Sequence, residues 1–347
     1  MVPGLWRPIV GIDAFDLKED EIDITPWLPL LCDGKQHTFA IRVSGLSDNG
    51  NGTATLSSTT DDYWIVSGKI FLWLDAENHT TTGQGPHLTA PPPDLKVTSS
   101  LLKGLNGTNE TLLYRVEAHR SLSIQSTINL SSGSQTASWT QQRTFSNTGT
   151  LRAGGNIAIN AQKTTGHDVS SSGYSRSLTY DLYAYSSYET LPGSNISIAA
   201  TVNRAKTVET KGQAVFPSGL EAFAREGAPG FLHGSLLTTT QNGSATYLAN
   251  TTSAKSFSFG TTEQEMTLSG IGGGRGYEAK DAGNRELFYR RAVAVNGTVT
   301  VDEERVLGDT KQQAQAHGKG HGDDGHGFCL NGLHGRGGKW RGGHVGL

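Results

Sequence analysis

Alternation of apolar and polar residues is the feature that most constrains this chain. The stretch AVAVNGTVTV (residues 292–301) alternates on both sides of Asn296-Gly297, a pair that tolerates the positive φ angles of a type I′ turn, and it predicts a β-hairpin. Residues 37–43, 177–185 and 195–202 alternate in the same way, which predicts half-buried strands. No amphipathic pattern of ten or more residues indicates a helix. The sequence therefore predicts an all-β chain.

The predicted organisation is two β-sandwich domains, jelly-roll-like, followed by a disordered tail. The run KIFLWLD (residues 69–75) is apolar and of strand length, which favours a strand buried on both sides. Three prolines mark an extended linker at residues 91–94. They separate residues 1–90, which hold too few strands for a complete sandwich, from a second sandwich at 95–305.

Composition excludes several classes of function. The 347 residues carry a formal net charge of −3, with 18% charged residues, so no basic field indicates a nucleic acid partner. No stretch of about 18 apolar residues predicts a membrane span. Only Cys32 and Cys329 are present, which is too few for a disulfide framework; Cys32 is expected to be buried, or to pair with a residue outside this sequence, and a bridge between the two remains an alternative.

Asparagine sequons indicate a secreted glycoprotein. The chain has 69 Ser and Thr residues and 16 Asn residues, so about three Asn-x-Ser/Thr sequons would arise by chance, whereas nine occur. The predicted glycosylation sites are Asn51, Asn78, Asn106, Asn109, Asn129, Asn195, Asn242, Asn250 and Asn296. Accidental sequons in Asn- and Ser/Thr-rich β-loops are the alternative. The first residues, MVPGLWRPIV, do not form a signal peptide, so we expect the natural N-terminus to lie upstream of this sequence.

The last 42 residues, 306–347, differ from the rest because they are rich in Gly and His and have no periodicity. The spacing of the histidines matches no zinc site, so a disordered or mis-translated tail and no metal are predicted. These histidines are His317, His321, His326, His334 and His344.

Two groups of carboxylates are candidates for catalysis. If the strand at FLWLDAE persists, Trp73, Asp75 and Glu77 share one face. Two carboxylates can divide into acid and base when their environments separate their pKa values, and an aromatic ring can stack on a sugar. That combination suits a glycan-processing site. The alternative is a solvated strand end.

The second group lies in WRPIVGIDAFDLKEDEIDITPW (residues 6–27), where six carboxylates fall within eleven residues. Alternation in EIDIT predicts that Ile22 and Ile24 face the core while Glu21 and Asp23 lie on a polar outer face. The reserve catalytic candidates in this stretch are Asp13 and Asp16. Trp6 and Arg7 beside them are candidate substrate-binding residues.

Several long motifs resemble one family, peptide N-acetyl-β-D-glucosaminyl asparaginase amidase A (peptide N-glycanase A), in its fungal form. They are VPGLWRPIVGIDAFDL, EIDITPWLPLLCDGKQHTFAIRV, GKIFLWLD, GQGP and GGGRGYEAKDAGNRELFYRRAVAVNGTVTVDEE. The resemblance covers residues 2–307 and begins part-way into the family, so the chain looks like an N-terminally truncated member.

This resemblance implies a secreted or vacuolar amidase that works at acidic pH without a cofactor or metal. Its substrates would be N-glycosylated peptides or proteins, cleaved at the bond between asparagine and the first sugar to give aspartate and a glycosylamine. Two alternatives remain open at this point: a non-catalytic glycan-binding β-sandwich, and an inactive fragment of the amidase. The resemblance carries no assignment of catalytic residues.

Overall fold

The computed structural model describes residues 20–60, 66–212, 232–253, 255–272 and 285–306. Helical structure in these residues is limited to short turns at Thr25–Trp27 and Ala153–Gly155 and the four-residue helix α1 at Leu28–Leu31. The strands are β1 Gly45–Asp48, β2 Ala54–Ser57, β3 Thr82–Gly83, β4 His87–Thr89, β5 Asp94–Lys103, β6 Asn109–Leu130, β7 Gly133–Arg152, β8 Ile157–Ser170, β9 Ser175–Leu191, β10 Asn195–Lys211, β11 Leu232–Asn250, β12 Ser256–Gly272, β13 Arg285–Val295 and β14 Thr298–Val306.

Most of these strands form one large antiparallel sheet. From β6 to β14 each strand pairs with the next in the chain, and β3, β4 and β5 all pair with β6 at the other edge. Strands β1 and β2 form a separate two-stranded sheet. The 22 residues of β6 span roughly 70 Å at about 3.3 Å per residue. The all-β fold class is confirmed, and the large antiparallel sheet is consistent with the sandwich class.

The jelly-roll connectivity and the domain boundaries stay predictions. The three prolines separate β4 from β5, yet both strands pair with β6, β4 at residues 123–125 and β5 at residues 109–119. A proline cannot donate a ladder hydrogen bond, so its place between two short pieces at a sheet edge is physically reasonable.

The predicted hairpin is confirmed in detail. Val295 pairs with Thr298, and the two residues between them, Asn296 and Gly297, both have positive φ, 49° and 88°. These are the backbone signs of a type I′ turn, whose twist matches that of the flanking strands. The alternating stretches 177–185 and 195–202 are also strands, within β9 and β10.

Two strand predictions are wrong. Residues 37–43 and 69–75 adopt neither strand nor helix, and no described strand pairs with them. Phe39 and Ile41 are more than half exposed, and Trp73 is 69% exposed. Alternation and apolar content describe only side chains, and a strand also needs a neighbouring backbone that accepts and donates its hydrogen bonds.

One face of the large sheet, which we call the inner face, buries most of the side chains that bear on function. Paired residues of antiparallel strands point to the same side, and so do residues two apart in one strand. Register therefore places Trp139, Asp168, Arg176, Gln162 and Arg204 together on this face. Its most enclosed apolar cluster contains Ile124, Trp139 and Tyr174, with Trp27 and Leu122 packed against it.

Several predictions fall outside or at the margin of the described residues. Cys329, the tail histidines and most of the glycine-rich stretch before β13 lie outside them. Cys32 is half-buried and not in a disulfide, so the expectation that it is buried holds only in part. Among the described helices, none is long and apolar enough to cross a membrane.

The turn geometry predicts the effect of two substitutions. A Cβ at Gly297 would meet no atom within 4 Å, so Gly297→Ala tests backbone strain alone and should lower the free energy of unfolding by about 1–2 kcal/mol. Asn296→Gly relieves a positive φ but removes the side-chain oxygen that accepts from the backbone N–H of Gly260 at 3.0 Å, so it should lower stability by less than Gly297→Ala does. Urea unfolding of the two variants measures the difference; equal stabilities would contradict the type I′ assignment.

Candidate functional site

The segment at residues 20–27 lies across the inner face and brings carboxylates into it. Here the prediction for EIDIT is wrong, because Asp23 is only 8% exposed while Ile22 is 42% exposed. The segment is not a strand, so the period of two does not apply. Its other two acidic side chains, Asp20 and Glu21, form ion pairs with arginines of β7 and β9, and the arginine charge makes partial burial of Glu21 tolerable.

A fully buried carboxylate, Asp168 on β8, is the centre of the cluster. Arg143 on β7 donates two hydrogen bonds to it, from Nη1 to Oδ1 at 2.5 Å and from Nη2 to Oδ2 at 2.9 Å. Arg176 on β9 places its Nε 3.3 Å from the same Oδ2. Arg143 also donates from Nε to Asp20 Oδ1 at 3.1 Å. Three neighbouring strands and the N-terminal segment are thus joined through one carboxylate.

Glu21 forms a further ion pair of the cluster, with its Oε2 against Nη1 of Arg176. The hydroxyl of Tyr174 lies 3.4 Å from the same oxygen, and the Tyr174 ring stacks on Trp139 with centroids 6.1 Å apart. Burial and the nearby Glu21 raise the pKa of Tyr174, so its hydroxyl keeps its proton. In the described part of the chain no residue hydrogen-bonds to Oε1, the other oxygen of Glu21, whose side chain is 28% exposed.

The pKa of Glu21 is raised above its ordinary value of 4.5. Burial is the main cause, since it removes water from the charged form, and the charge of Asp168 adds to it. The charge and hydrogen bond of Arg176 oppose the shift without cancelling it. A carboxyl group with a raised pKa exchanges its proton closer to neutral pH, which is the property of a group that takes and returns protons in catalysis.

The remaining contacts fix the segment in place. Asp23 accepts hydrogen bonds from the backbone N–H of Thr25 at 2.9 Å and from the hydroxyl of Ser170 at 3.0 Å. Gln141, only 1% exposed, donates to the backbone carbonyl of Glu21 at 3.0 Å and accepts from Arg120 at 2.7 Å. Glu21 is therefore held from both its backbone and its side chain.

One charged group of the cluster lacks full hydrogen bonding. Arg176 is 5% exposed, yet its Nη2 has no hydrogen-bond partner among the described residues, and its Nε lies near Asp168 without hydrogen-bond geometry. A network that only fastened two segments together would be expected to satisfy its buried donors. Arg176 therefore keeps donor capacity beside Glu21 that the described residues do not use.

The structure places Trp73, Asp75 and Glu77 in a different setting from the predicted one. They belong to an exposed stretch without a strand, so they share no strand face. Asp75 accepts hydrogen bonds from the hydroxyl and the backbone N–H of Ser131 and from the N–H of Ala76, and these lower its pKa to about 2. It also pairs with His79 at 3.0 Å. Asp75 thus ties this stretch to the β6–β7 turn and stays ionised; the catalytic roles of Asp75 and Glu77 stay predictions.

The other candidates cannot be placed. Trp6, Arg7, Asp13 and Asp16 lie outside the described residues. Within the described ranges, no group of three or more His, Cys, Asp and Glu side chains has an arrangement that would hold a metal ion.

Sequence reasoning missed Arg143, Asp168 and Arg176. Each is a charged residue in a strand, at a position that only the pairing of β7, β8 and β9 identifies as inner: Gln141 is opposite Asp168, and Asp168 is opposite Arg176. One signal was available in the sequence. Charged residues of both signs occur at even spacing from inner apolar residues such as Trp139 and Leu178, so they share a strand face with them.

Comparison with known proteins gives two matches to sequence families. Residues 1–90 match the family described as peptide N-acetyl-beta-D-glucosaminyl asparaginase amidase A, and residues 113–190 match the PNGase_A C-terminal domain. The chain is also 31% identical over 194 residues to a peptide-N4-(N-acetyl-beta-glucosaminyl)asparagine amidase A of Prunus dulcis. That match covers 54% of this chain and 30% of the relative's length. No solved structure matches significantly.

The central carboxylate yields a stability prediction. Asp168→Asn leaves Arg143 and Arg176 buried without their shared counter-charge, which should lower the free energy of unfolding by about 3–5 kcal/mol. Asp94→Asn is the matched control, because its pair with Lys96 is exposed and is worth about 0–1 kcal/mol. Chemical denaturation of both variants measures the contrast, and a similar loss in the two would show that the cluster does not anchor the fold.

Proposed function

We propose, from the premise that this chain belongs to the peptide N-glycanase A family, that it is part of an amidase that releases N-glycans from asparagine side chains. Both matched regions and the relative's name support an amidase of this kind. The observation that carries the proposal in the structure is the pairing of Glu21, a carboxyl group with a raised pKa, with the incompletely bonded Arg176. The substrates we propose are N-glycosylated peptides and proteins.

The proposed reaction needs a base that activates water, a donor to the developing negative oxygen and an acid for the leaving nitrogen. Glu21 and Arg176 supply all three. Ionised Glu21 takes a proton from water through Oε1, and the water oxygen adds to the carbonyl carbon of the asparagine amide. Arg176 donates to the oxygen that becomes negative. The carbon–nitrogen bond then breaks and Glu21 returns its proton to the nitrogen. The products are aspartate and a glycosylamine, so the atoms balance with one water consumed.

Substitution of Glu21 tests this mechanism. Glu21→Gln keeps the size of the side chain and removes proton transfer, so release of glycan from a denatured glycopeptide should fall about a hundredfold or more. Mass spectrometry follows the reaction, because it detects the peptide that has lost its glycan and carries Asp in place of Asn. Asp20→Asn is the control, since Asp20 is the exposed acidic neighbour and contacts Arg143 instead of Arg176. Full activity of Glu21→Gln would refute the role of Glu21, and glycopeptide binding without release by the unaltered chain would favour a glycan-binding protein.

The pH dependence follows from the same group. The free enzyme requires ionised Glu21, so kcat/KM should be lost as the pH falls through the raised pKa, with the acidic limb of the profile lying above 4.5. The limb should move in Arg176→Lys, which alters the counter-charge beside Glu21. An acidic limb at or below 4.5 in the unaltered chain would be inconsistent with this assignment.

We also propose that the protein is secreted and glycosylated, at some of its sequons and not others. In Asn51 and Asn106 the side-chain oxygen accepts a hydrogen bond from the hydroxyl of the sequon threonine at 2.6 Å, and Nδ2 has no hydrogen bond to the described residues. In Asn250, by contrast, Nδ2 donates to the carbonyl of Gly193 at 3.0 Å and to Oδ1 of Asn195 at 2.9 Å. A glycan on Nδ2 leaves only one hydrogen for these two contacts.

Glycopeptide mapping tests this division of the sequons. In protein secreted from a eukaryotic host, Asn51 and Asn106 should carry glycans, whereas Asn250 should be largely unmodified. Glycan occupancy is compared among the three sites of a single preparation, so each site is an internal control for the others. Full occupancy of Asn250 with unmodified Asn51 and Asn106 would contradict the proposed division.

A further inference from the structure

A small polar cavity opens among strands β8 to β12, away from the acidic cluster. Its volume is about 140 Å³. We call it the polar groove and define it by five of its lining residues: Gln162, Tyr180, Arg204, Gln241 and Gln264. The volume is small against the roughly 300–1,000 Å³ of pockets for drug-sized ligands, so the groove suits a single ring.

Strand register aligns the amides of the groove. Gln162 is opposite Leu182, Leu182 opposite Arg204, Arg204 opposite Gln241, and Gln241 opposite Gln264. Neighbouring strands lie about 4.8 Å apart, so these five aligned side chains, with Leu182 on β9, form a row across the inner face. Tyr180 lies two residues from Leu182 on the same face of β9. The guanidinium of Arg204 donates to Gln241 at 3.4 Å, which fixes the orientation of that amide.

A buried acceptor in this row has no donor from the described chain. Gln264 is 7% exposed, and its Oε1 has no hydrogen-bond partner among the described residues. The same is true of four other buried oxygens at inner positions of the sheet, Ser126 Oγ, Asn147 Oδ1, Asn160 Oδ1 and Thr262 Oγ1. A buried acceptor without a donor destabilises the folded state, so native proteins retain few of them without a functional or structural reason.

The chemistry of the lining suits a polyhydroxylated ligand. Amide oxygens accept from hydroxyl groups and amide nitrogens donate to them, so the three glutamines match the donors and acceptors of a sugar, and the two cations of the lining, Arg204 and Lys206, add donors for its oxygens. Leu182 adds apolar surface that suits the C–H face of a sugar ring, and the Tyr180 ring beside it has the Lys206 ammonium 5.6 Å from its centroid on one side. The one carboxylate of the lining, Asp181, pairs with Lys163 at 3.3 Å.

The groove and the acidic cluster share the inner face at a defined separation. Gln162 and Asp168 lie six residues apart on β8, as do Leu182 and Arg176 on β9, which corresponds to roughly 20 Å along the strands. A ligand bound in the groove therefore does not touch Glu21. A branched glycan whose bond to the substrate asparagine lies beside Glu21 can place a more distant sugar in the groove.

We propose that the polar groove binds one sugar of the N-glycan, at a distance from the bond that is cleaved. This inference rests on the proposed amidase function for the identity of the glycan, but the binding site itself does not depend on catalysis. Binding of a remote sugar positions the glycan, and this binding energy is expressed as a lower KM for glycopeptides with an intact glycan.

Binding of a neutral, free N-glycan core oligosaccharide to the 347-residue chain, produced without its own glycans, tests the site by calorimetry. The unaltered chain should bind, and Gln264→Leu should weaken binding about tenfold, equivalent to the loss of one good hydrogen bond. This variant removes an unsatisfied amide, so it should fold as stably as the unaltered chain. Gln142→Leu, an exposed glutamine on the opposite face of β7, is the matched control and should bind normally.

The outcomes distinguish failure of the proposed sugar site from failure of the proposed amidase function. No binding by the unaltered chain, or equal binding by Gln264→Leu, overturns the proposal that the groove binds a sugar, even if glycan is released. The buried acceptors are then satisfied by water. Selective weakening in Gln264→Leu supports the groove even if no release occurs, in which case the amidase proposal alone fails. Where release occurs, Gln264→Leu should raise KM for the intact glycopeptide and leave KM unchanged for one trimmed to a single sugar.

Discussion

The buried carboxylate of Asp168 is the interaction on which the functional part of this structure depends. It is fully enclosed, and a lone charge in that position would be prohibitively costly without Arg143 and Arg176. Those two arginines in turn hold the acidic N-terminal segment, Arg143 through Asp20 and Arg176 through Glu21. One carboxylate on β8 thus determines where Glu21 lies, and the surrounding burial determines its affinity for a proton.

A single face of the sheet carries both proposed functions. The acidic cluster lies where β7, β8 and β9 meet the N-terminal segment, and the polar groove lies farther along β8 and β9 and extends to β12. Rigid antiparallel pairing keeps the two at a constant separation, which suits a substrate with a reacting bond at one end and branching sugars at the other. The same registers that stabilise the sheet therefore set the geometry for recognition.

The sequence was sufficient for the elements in which local chemistry decides the structure. Asn296-Gly297 specifies its turn through positive φ, and alternation specifies β9 and β10. It failed at residues 37–43 and 69–75, where apolar residues lack a pairing strand. It also failed at Glu21 and Asp23, which turn inward because Arg176 and Ser170 from distant parts of the chain contact them. The candidate site could not be predicted for the same reason, since the contacts that join the N-terminal segment to the sheet span 120 or more positions of the chain.

Direct titration of Glu21 tests the central claim, that the arginine–aspartate network holds a proton-exchanging carboxyl group on the inner face. Carbon-detected NMR of the labelled side-chain carboxyl, followed against pH in the folded chain, gives its pKa residue by residue. The account predicts a midpoint above the ordinary 4.5, because burial disfavours the charged form more than Arg176 favours it. A midpoint at or below 4.5 would show that Glu21 is an ordinary ion-pair partner and would contradict its proposed part in catalysis.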